Sequence, residues 1–381
     1  MILGWSKQTN LSASKAQAKR SSRLSQKGID NQSSQVSQTS GGNQRTNRGQ
    51  ISQSHEPMSE HKLILVKRRT RLEELIVRYN TVQQAQFYIE RLGADFSDYI
   101  EEDQRYRQAI QLAQQHLSQL GRVQLIDREH VPNFIFGHQD IVVVVGQDGL
   151  VANTLKYVTE QPLIGVNPDP MRWDGVLLPF TVEDLSFIVP DVMRKQRALR
   201  EVTLAKVELN DGQVLYGVND LFIGRKTHVS ARYEVRLGAR SEQQSSSGII
   251  VSTGMGSTGW FKSVLEGASG IVGSEAWQHL SNAGSTDVAS KAESAGRANT
   301  GGFTWDAPYL YYTVREPFPS RTTSASLVFG QIHAKQPLHI VSQMPEDGVI
   351  FSDGVEQDFL EFNSGVHAKV GLADKRGRLV I

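Results

Sequence analysis

The chain contains no cysteine. This excludes a disulfide framework, thiolate metal sites and a cysteine nucleophile, and it fits a reducing compartment such as the cytoplasm. No apolar run approaches the roughly 20 residues needed to span a bilayer as a helix, and the hydrophobic core of a secretory signal is missing, so no membrane partner is expected. Neither is there a large charge of one sign. Lys and Arg total 41 against 40 Asp and Glu, a formal net charge of +1 that gives no basic signature for a nucleic-acid partner. The glycine-rich lysine motif of P-loop nucleotide binders does not occur, and His228 and His333 lack any spacing that would suggest metal ligands. Acids are also scarce at the start, where Asp30 and Glu56 are the only two before Ser59. That stretch, residues 1–60, is mostly Ser, Gln, Asn, Gly, Lys and Arg, which cannot bury a core, and it reads as a disordered tail. Its Ser- and Arg-containing composition leaves a mitochondrial transit peptide as the alternative to a cytoplasmic protein.

Past the tail, the pattern is that of a folded α/β chain. Strands are predicted at 62–66, 123–126, 134–136, Ile141–Val145 and Leu163–Val166, with helices over 72–92, 106–120 and 150–160. Five consecutive β-branched residues, IVVVV, suit a strand covered on both faces, as in a parallel sheet. From about residue 200 the signal turns to strands and turns: 201–209 and 214–223 around Asn210-Asp211-Gly212-Gln213, then 232–237, 248–253, 326–331, Leu338–Ser342, 349–351 and 368–372. The expected architecture is therefore an α/β domain over 61–180 with an open, mostly parallel sheet. A β-rich domain over 181–381 follows, carrying a flexible Ser/Gly/Ala-rich insert at 281–302. Trp305 and residues 309–312 read as core or interface.

Several segments carry chemistry. Gly146-Gln147-Asp148-Gly149 follows the buried IVVVV strand and precedes a helix. Ligands bind beyond the carboxyl ends of strands in open α/β sheets, and a helix N-terminus offers free N–H groups to phosphate. An Asp there suits Mg²⁺ or a hydroxyl proton, although Asp also commonly caps a helix. A basic cluster, Lys67-Arg68-Arg69 with Arg71, follows the first strand as either a phosphate clamp or a solvated surface. Ile250–Trp260 (IVSTGMGSTGW) is a strand running into a glycine- and hydroxyl-rich turn. Asn219-Asp220 places two polar residues inside an apolar stretch, where they require partners. LIGVNPDP ends a strand at Asn167, and Phe351-Ser352-Asp353-Gly354 reads as a turn.

In this order, the segments resemble the NAD kinase family, whose elements read GGDGT, GVN, Asn-Glu, a Thr-Pro-Thr-Gly-Ser-Thr-Ala-Tyr-like stretch and a late Asp-Gly. GVNPDP with Gly175 and Leu178-Pro179, SSSG before the glycine turn, Arg315-Glu316-Pro317 and Glu361-Phe362-Asn363-Ser364-Gly365 resemble its mitochondrial-type branch in particular. The resemblance runs from about residue 61 to the end. It implies an ATP-dependent NAD kinase, which transfers the γ-phosphate of ATP to the adenosine-ribose 2′-hydroxyl of NAD and gives NADP. Asp148 is then the catalytic residue. Gly146, Gln147, Gly149, Lys67 and Arg68 would hold ATP phosphates, with Mg²⁺ carried by ATP and no protein metal ligand beyond Asp148. Asn167, Asn219, Asp220, Thr253, Gly256, Ser257, Thr258 and Trp260 would contact NAD. A homo-oligomer, dimer or tetramer, is implied as well. The alternatives are a non-catalytic NAD(P)(H)-binding protein and a kinase of a lipid or sugar hydroxyl, whose families share a related turn.

The chain departs from the family at Gln147 and Leu150, which stand for a glycine and a threonine, and at Asp220, Met255 and Trp260, which stand for Glu, Thr and Tyr. A positive φ at position 147 would cost a Gln there about 1 kcal/mol or more.

Overall fold

A computed structural model describes residues 61–274 and 302–381. The tail 1–60 and nearly all of the expected insert 281–302 lie outside them. Four parallel strands form the first part of the larger sheet: β1 (Lys62–Lys67), β2 (Arg122–Asp127), β3 (Ile141–Val145) and β4 (Leu163–Val166), in the order β2-β1-β3-β4. The IVVVV strand is buried along its whole length, as its composition predicts. Val143 and Val145 face helices α3 (Ser97–Leu120) and α5 (Leu185–Met193), while Val142 and Val144 face α4 (Asp148–Leu155).

The expected helix over 72–92 is two helices, α1 (Arg71–Tyr79) and α2 (Val82–Arg91). Asn80 takes a left-handed φ of 66° and Thr81 caps α2 by accepting from Gln84 N–H, so the chain turns between them. Helix α3 begins nine residues before the apolar periodicity suggests. Its first turns bury Glu102 and Asp103 against Arg68, Arg71 and Thr70, so tertiary partners replace the apolar face. The expected strand at 134–136 is not formed; a short 3-10 turn, Arg128–Asn133, leads into an extended segment whose Phe134 and Phe136 pack against the α4 side of the sheet. Helix α5 escaped the pattern because it carries Pro190.

The antiparallel part uses β5 (Leu199–Leu209), β6 (Val214–Gly217), β8 (Ala231–Leu237), β9 (Arg240–Ser246), β13 (Leu338–Ser342) and β16 (His367–Val380). All belong to the same ten-stranded sheet as β1–β4, joined through β16. The first half of β16 pairs with β13, and near its end Leu379 pairs in parallel with Leu163 of β4. A bulge between Leu372 and Arg376 separates the two halves, while β5 pairs along the length of the strand. A second, wholly antiparallel sheet of six strands adds β7 (Asp220–Arg225), β10 (Ile249–Ser252), β11 (Tyr309–Val314), β12 (Phe329–His333), β14 (Gly348–Ser352) and β15 (Val355–Glu361). It packs on the antiparallel half of the first sheet over an apolar core including Val207, Leu221, Ile223, Tyr233 and Ile340. Helix α6 (Trp260–Val272) follows β10. The single strand expected over 214–223 is thus β6 and β7, in different sheets, with the crossing at Val218 and Asn219.

Tyr106 of α3 ties the carboxyl ends of β1 and β3 together. Its hydroxyl donates to the Val145 carbonyl at 2.8 Å and accepts from Arg68 N–H at 2.9 Å. Burial pushes the phenol up to about 12, which keeps it a donor at neutral pH. Tyr106→Phe is expected to lower unfolding free energy by about 1–3 kcal/mol, because both backbone groups lose their buried partner; urea unfolding measures it, and a loss near zero would mean water replaces the hydroxyl.

Candidate functional site

Strand order β2-β1-β3-β4 makes the gap between β1 and β3 the point where successive connections leave in opposite directions, and ligands bind beyond strand carboxyl ends at such a point. Both the basic cluster and the Gly146–Gly149 turn leave the sheet there. The cluster is largely neutralised by acids: Lys67 pairs with Asp127 at 2.6 Å, Arg68 with Glu102 at 2.7 Å, Arg69 with Glu129 at 3.0 Å, and Arg71 with Asp98 and Glu102. Arg68 and Arg69 still line a cleft of about 820 Å³, together with Arg128, Asn153, Tyr157 and Gly354. Lys67 is not among its lining residues.

Gly146 is buried, and a Cβ there would lie 2.8 Å from Leu150 Cδ2, so a larger residue would make the Leu150 side chain shift. Gln147 has φ −113°, an extended conformation open to any residue, so the cost foreseen for it does not arise. Leu150 is buried in the apolar cluster under α4. Gly149 is exposed, with open space where a side chain would stand. Asp148 does not cap its own helix. Its carboxylate instead accepts from the backbone N–H groups of Leu177 at 2.9 Å and Val176 at 3.2 Å.

Those amides belong to the loop that follows Asn167, and Asn167 shapes the same loop from below. Its side chain accepts from Asp169 N–H at 3.0 Å and donates to the Trp173 carbonyl at 2.8 Å. Arg105–Asp169 and Arg172–Asp98 ion pairs fasten the loop to α3. Asn167 is therefore buried with partners of its own.

At the other end of α4, the sheet-to-sheet crossing gathers the second group. Three amides left there, those of Val218, Asn219 and Asp220, donate to the Asp353 carboxylate at 3.0, 2.6 and 3.3 Å. Lys156, just past α4 and 3% exposed, donates to Ser352 Oγ at 2.9 Å and lies 3.6 Å from the carboxylates of Asp353 and Asp358. The Thr253 hydroxyl donates to the Val218 carbonyl at 2.5 Å and accepts from Gly256 N–H at 3.2 Å. A Cβ at Gly256 would stand 2.0 Å from the Asn219 carbonyl oxygen, so glycine is what lets the turn seat on the crossing. The Asn219 side chain has no hydrogen-bond partner among the described residues and is half-buried. Ser257 is buried and donates to the Gly254 carbonyl, and Thr258 is exposed. Trp260 turns away and stacks on Phe222 with Arg315 over its ring, within an apolar cluster under α6.

The sequence reading missed Lys156 altogether and left Asp353 as a turn. The available signal was Asp-Gly between two strands: Asp353 and Gly354 both have positive φ, as in the tight hairpin turn favoured by that pair.

Burial, and then the neighbouring Asp353, pushes the Asp220 carboxyl up to about 7. The folded chain therefore keeps a proton that the unfolded chain loses near pH 4. The stability this contributes is complete below that pH and is lost as pH rises through 7. Asp220→Asn is expected to be more stable than the parent at pH 8, by up to about 4 kcal/mol, and close to it at pH 4. Urea unfolding across that range measures the difference; a pH-independent offset would show that Asp220 ionises freely.

No family model matches the chain, and no curated protein matches it. Among solved structures it is similar to an NAD kinase from Archaeoglobus fulgidus in complex with ATP, at 14% identity and TM-score 0.48, covering 84% of this chain and 93% of that one. It is also similar to yeast NADH kinase complexed with NADH, at 14% identity and TM-score 0.47, covering 84% and 83%.

Proposed function

We propose that this protein is an ATP-dependent NAD kinase. The observation that carries the reading is the placement of the two motif groups on α4. The Gly-Gln-Asp-Gly turn opens the helix at the sheet's switch point, and the Asn219-Asp220 crossing, seated on the Thr253–Gly256 turn, meets the residue after its last turn. Eight helical residues span about 12 Å, so one rigid element sets the spacing between a phosphate-handling end and a dinucleotide-handling end.

Phosphoryl transfer requires positioning and charge neutralisation more than covalent chemistry. Arg68, Arg69 and Arg128 in the cleft would hold the phosphates of ATP, and the N-terminal amides of α4 beside exposed Gly149 leave room for a phosphate oxygen. The Asp148 carboxylate accepts two N–H bonds, and an ionised carboxylate has about four acceptor sites. It can therefore take the proton of a ribose 2′-hydroxyl or share a metal while staying oriented. Among the described residues no cluster of three acidic, His or Cys side chains could hold a metal. A lone carboxylate fits Mg²⁺ that arrives on ATP, since Mg²⁺ commonly takes one or two carboxylates plus substrate phosphates. Asn219, with its free amide, and Asp220 would meet the ribose hydroxyls of NAD.

One observation favours a second reading, a dinucleotide-binding protein without catalysis: the Asp148 carboxylate holds two backbone amides of the loop after Asn167, which is a structural task in itself.

Incubation of the purified protein with ATP, Mg²⁺ and NAD, NADH or a panel of lipids separates the readings; NADP or NADPH is the expected product. Binding of NAD without turnover would favour the binder, and phosphorylation of a lipid alone would overturn both. Asp148→Asn keeps one acceptor oxygen for the Leu177 amide. It is expected to lower kcat by roughly 10²–10⁴-fold while leaving NAD affinity nearly unchanged; equal loss of both would make Asp148 structural.

A further inference from the structure

The Lys156–Asp353 pair has no direct access to a ligand, since the two side chains are 3% and 1% exposed. Yet it sits where the chain crosses from one sheet to the other, and everything Asp353 holds belongs to the crossing. Its carboxylate collects the three crossing amides, and its own N–H donates to the Asp220 carbonyl at 3.1 Å. Asp220 is thus gripped at both its N–H and its carbonyl by one residue. Asp353 adopts φ 54°, a left-handed conformation that the Asp-Gly turn supplies, and this aims the carboxylate back at the crossing. Four groups hold it there: the three amides and the ammonium of Lys156, which is itself fixed by Ser352 Oγ. Helix α4 is pinned in turn, because Lys375, in the β16 bulge, donates to the carbonyls of Lys156 at 2.5 Å and Val158 at 3.1 Å.

We propose that Asp353, anchored by Lys156, is a positioning residue that fixes the Asn219–Asp220 corner in the geometry that binds the dinucleotide. This rests on the kinase reading for the identity of the ligand, though not for the existence of the clamp. The free Asn219 amide and the Asp220 carboxyl can be presented as a rigid pair only while their backbone is held, and no ladder hydrogen bond holds the Val218 and Asn219 N–H groups. The charged groups of the phosphate end, Asp148 and Arg68, are anchored separately by Leu177, Val176, Glu102 and Tyr106, and Gly354, which adjoins Asp353 and lines the same cleft, contributes no side chain to it. Loss of the clamp should therefore weaken the dinucleotide and spare ATP.

The test uses the full chain. Asp353→Asn alone leaves the Lys156 ammonium buried beside a neutral group and endangers the fold. The paired variant Lys156→Met/Asp353→Gly removes both charges together with the oxygen on which the three amides converge, and glycine keeps the left-handed φ at 353 without strain. Two readouts are taken on it: amide hydrogen exchange at Val218, Asn219 and Asp220, and calorimetric affinities for NAD and for ATP. The expected result is at least about tenfold faster exchange at those amides, at least about tenfold weaker NAD binding, and ATP binding within about twofold of the parent. Unchanged exchange overturns the clamp. Faster exchange with parental NAD affinity overturns its role in positioning, as does equal weakening of NAD and ATP, which marks general damage to the fold. A parent that binds ATP and no dinucleotide refutes the kinase reading and with it the ligand assigned to the corner, while the exchange readout still decides whether Asp353 holds it.

Discussion

A strand that leaves one sheet and enters another must abandon its ladder for a residue or two, and the buried amides of that step need acceptors. In this protein the step falls at Val218 and Asn219, and one carboxylate supplies the acceptors. The remaining anchors near the crossing follow from that choice. A buried carboxylate needs a counter-charge, which places Lys156 at the end of α4; the carbonyls there need donors, and Lys375 in the β16 bulge provides them. The same bulge divides the half of β16 that pairs with β13 from the half that closes on β4. Sheet crossing, helix position and strand bulge are one connected set of satisfied polar groups, and such networks are stable only when every member is satisfied.

The consequences for chemistry run through α4. Its first residue is Asp148 and the residue after its last is Lys156, so the helix carries a carboxylate at its N-terminal end and a cation just past its C-terminal end. At each end a side chain holds backbone amides of a distant segment: Asp148 those of Val176 and Leu177, Asp353 those of the crossing. Two short motifs far apart in sequence are thereby kept at one spacing. The basic cluster after β1 shows the opposite behaviour, with most of its charge already balanced by α3 and by the residues after β2. Local compensation of this kind leaves the cleft only moderately cationic and makes the fold less dependent on a bound polyanion.

Where burial follows directly from composition, sequence pattern and structure agree. Ile141–Val145 and Leu163–Val166 are strands with the bounds expected, because short, continuously apolar runs suit strands covered on both faces. Agreement fails where a tertiary partner substitutes for an apolar residue. The first turns of α3 bury Glu102 and Asp103 under arginines, and β9 (RSEQQSS) has no apolar residue at all yet pairs along β8. It fails again where continuity misleads, since β6 and β7 read as one apolar stretch. Only Asn219-Asp220 hinted at a break, and a polar pair in a strand does not say which way the chain will turn.

The Gly146-Gln147-Asp148-Gly149 turn marks the boundary between the two kinds of information. Sequence alone determined that a buried strand ends there, that a helix follows, and that a string of glycine, Asn and hydroxyl motifs accompanies it in order. These depend on local backbone preference and hydrophobic period, which each segment carries within itself. Tertiary structure alone decided that Gln147 is unstrained, that Asp148 faces the 176–177 amides rather than capping its helix, that Trp260 belongs to the core under α6, and that Asp353 and Lys156 meet. Those outcomes depend on which distant segment fills each unsatisfied donor or acceptor, and no local pattern encodes the partner.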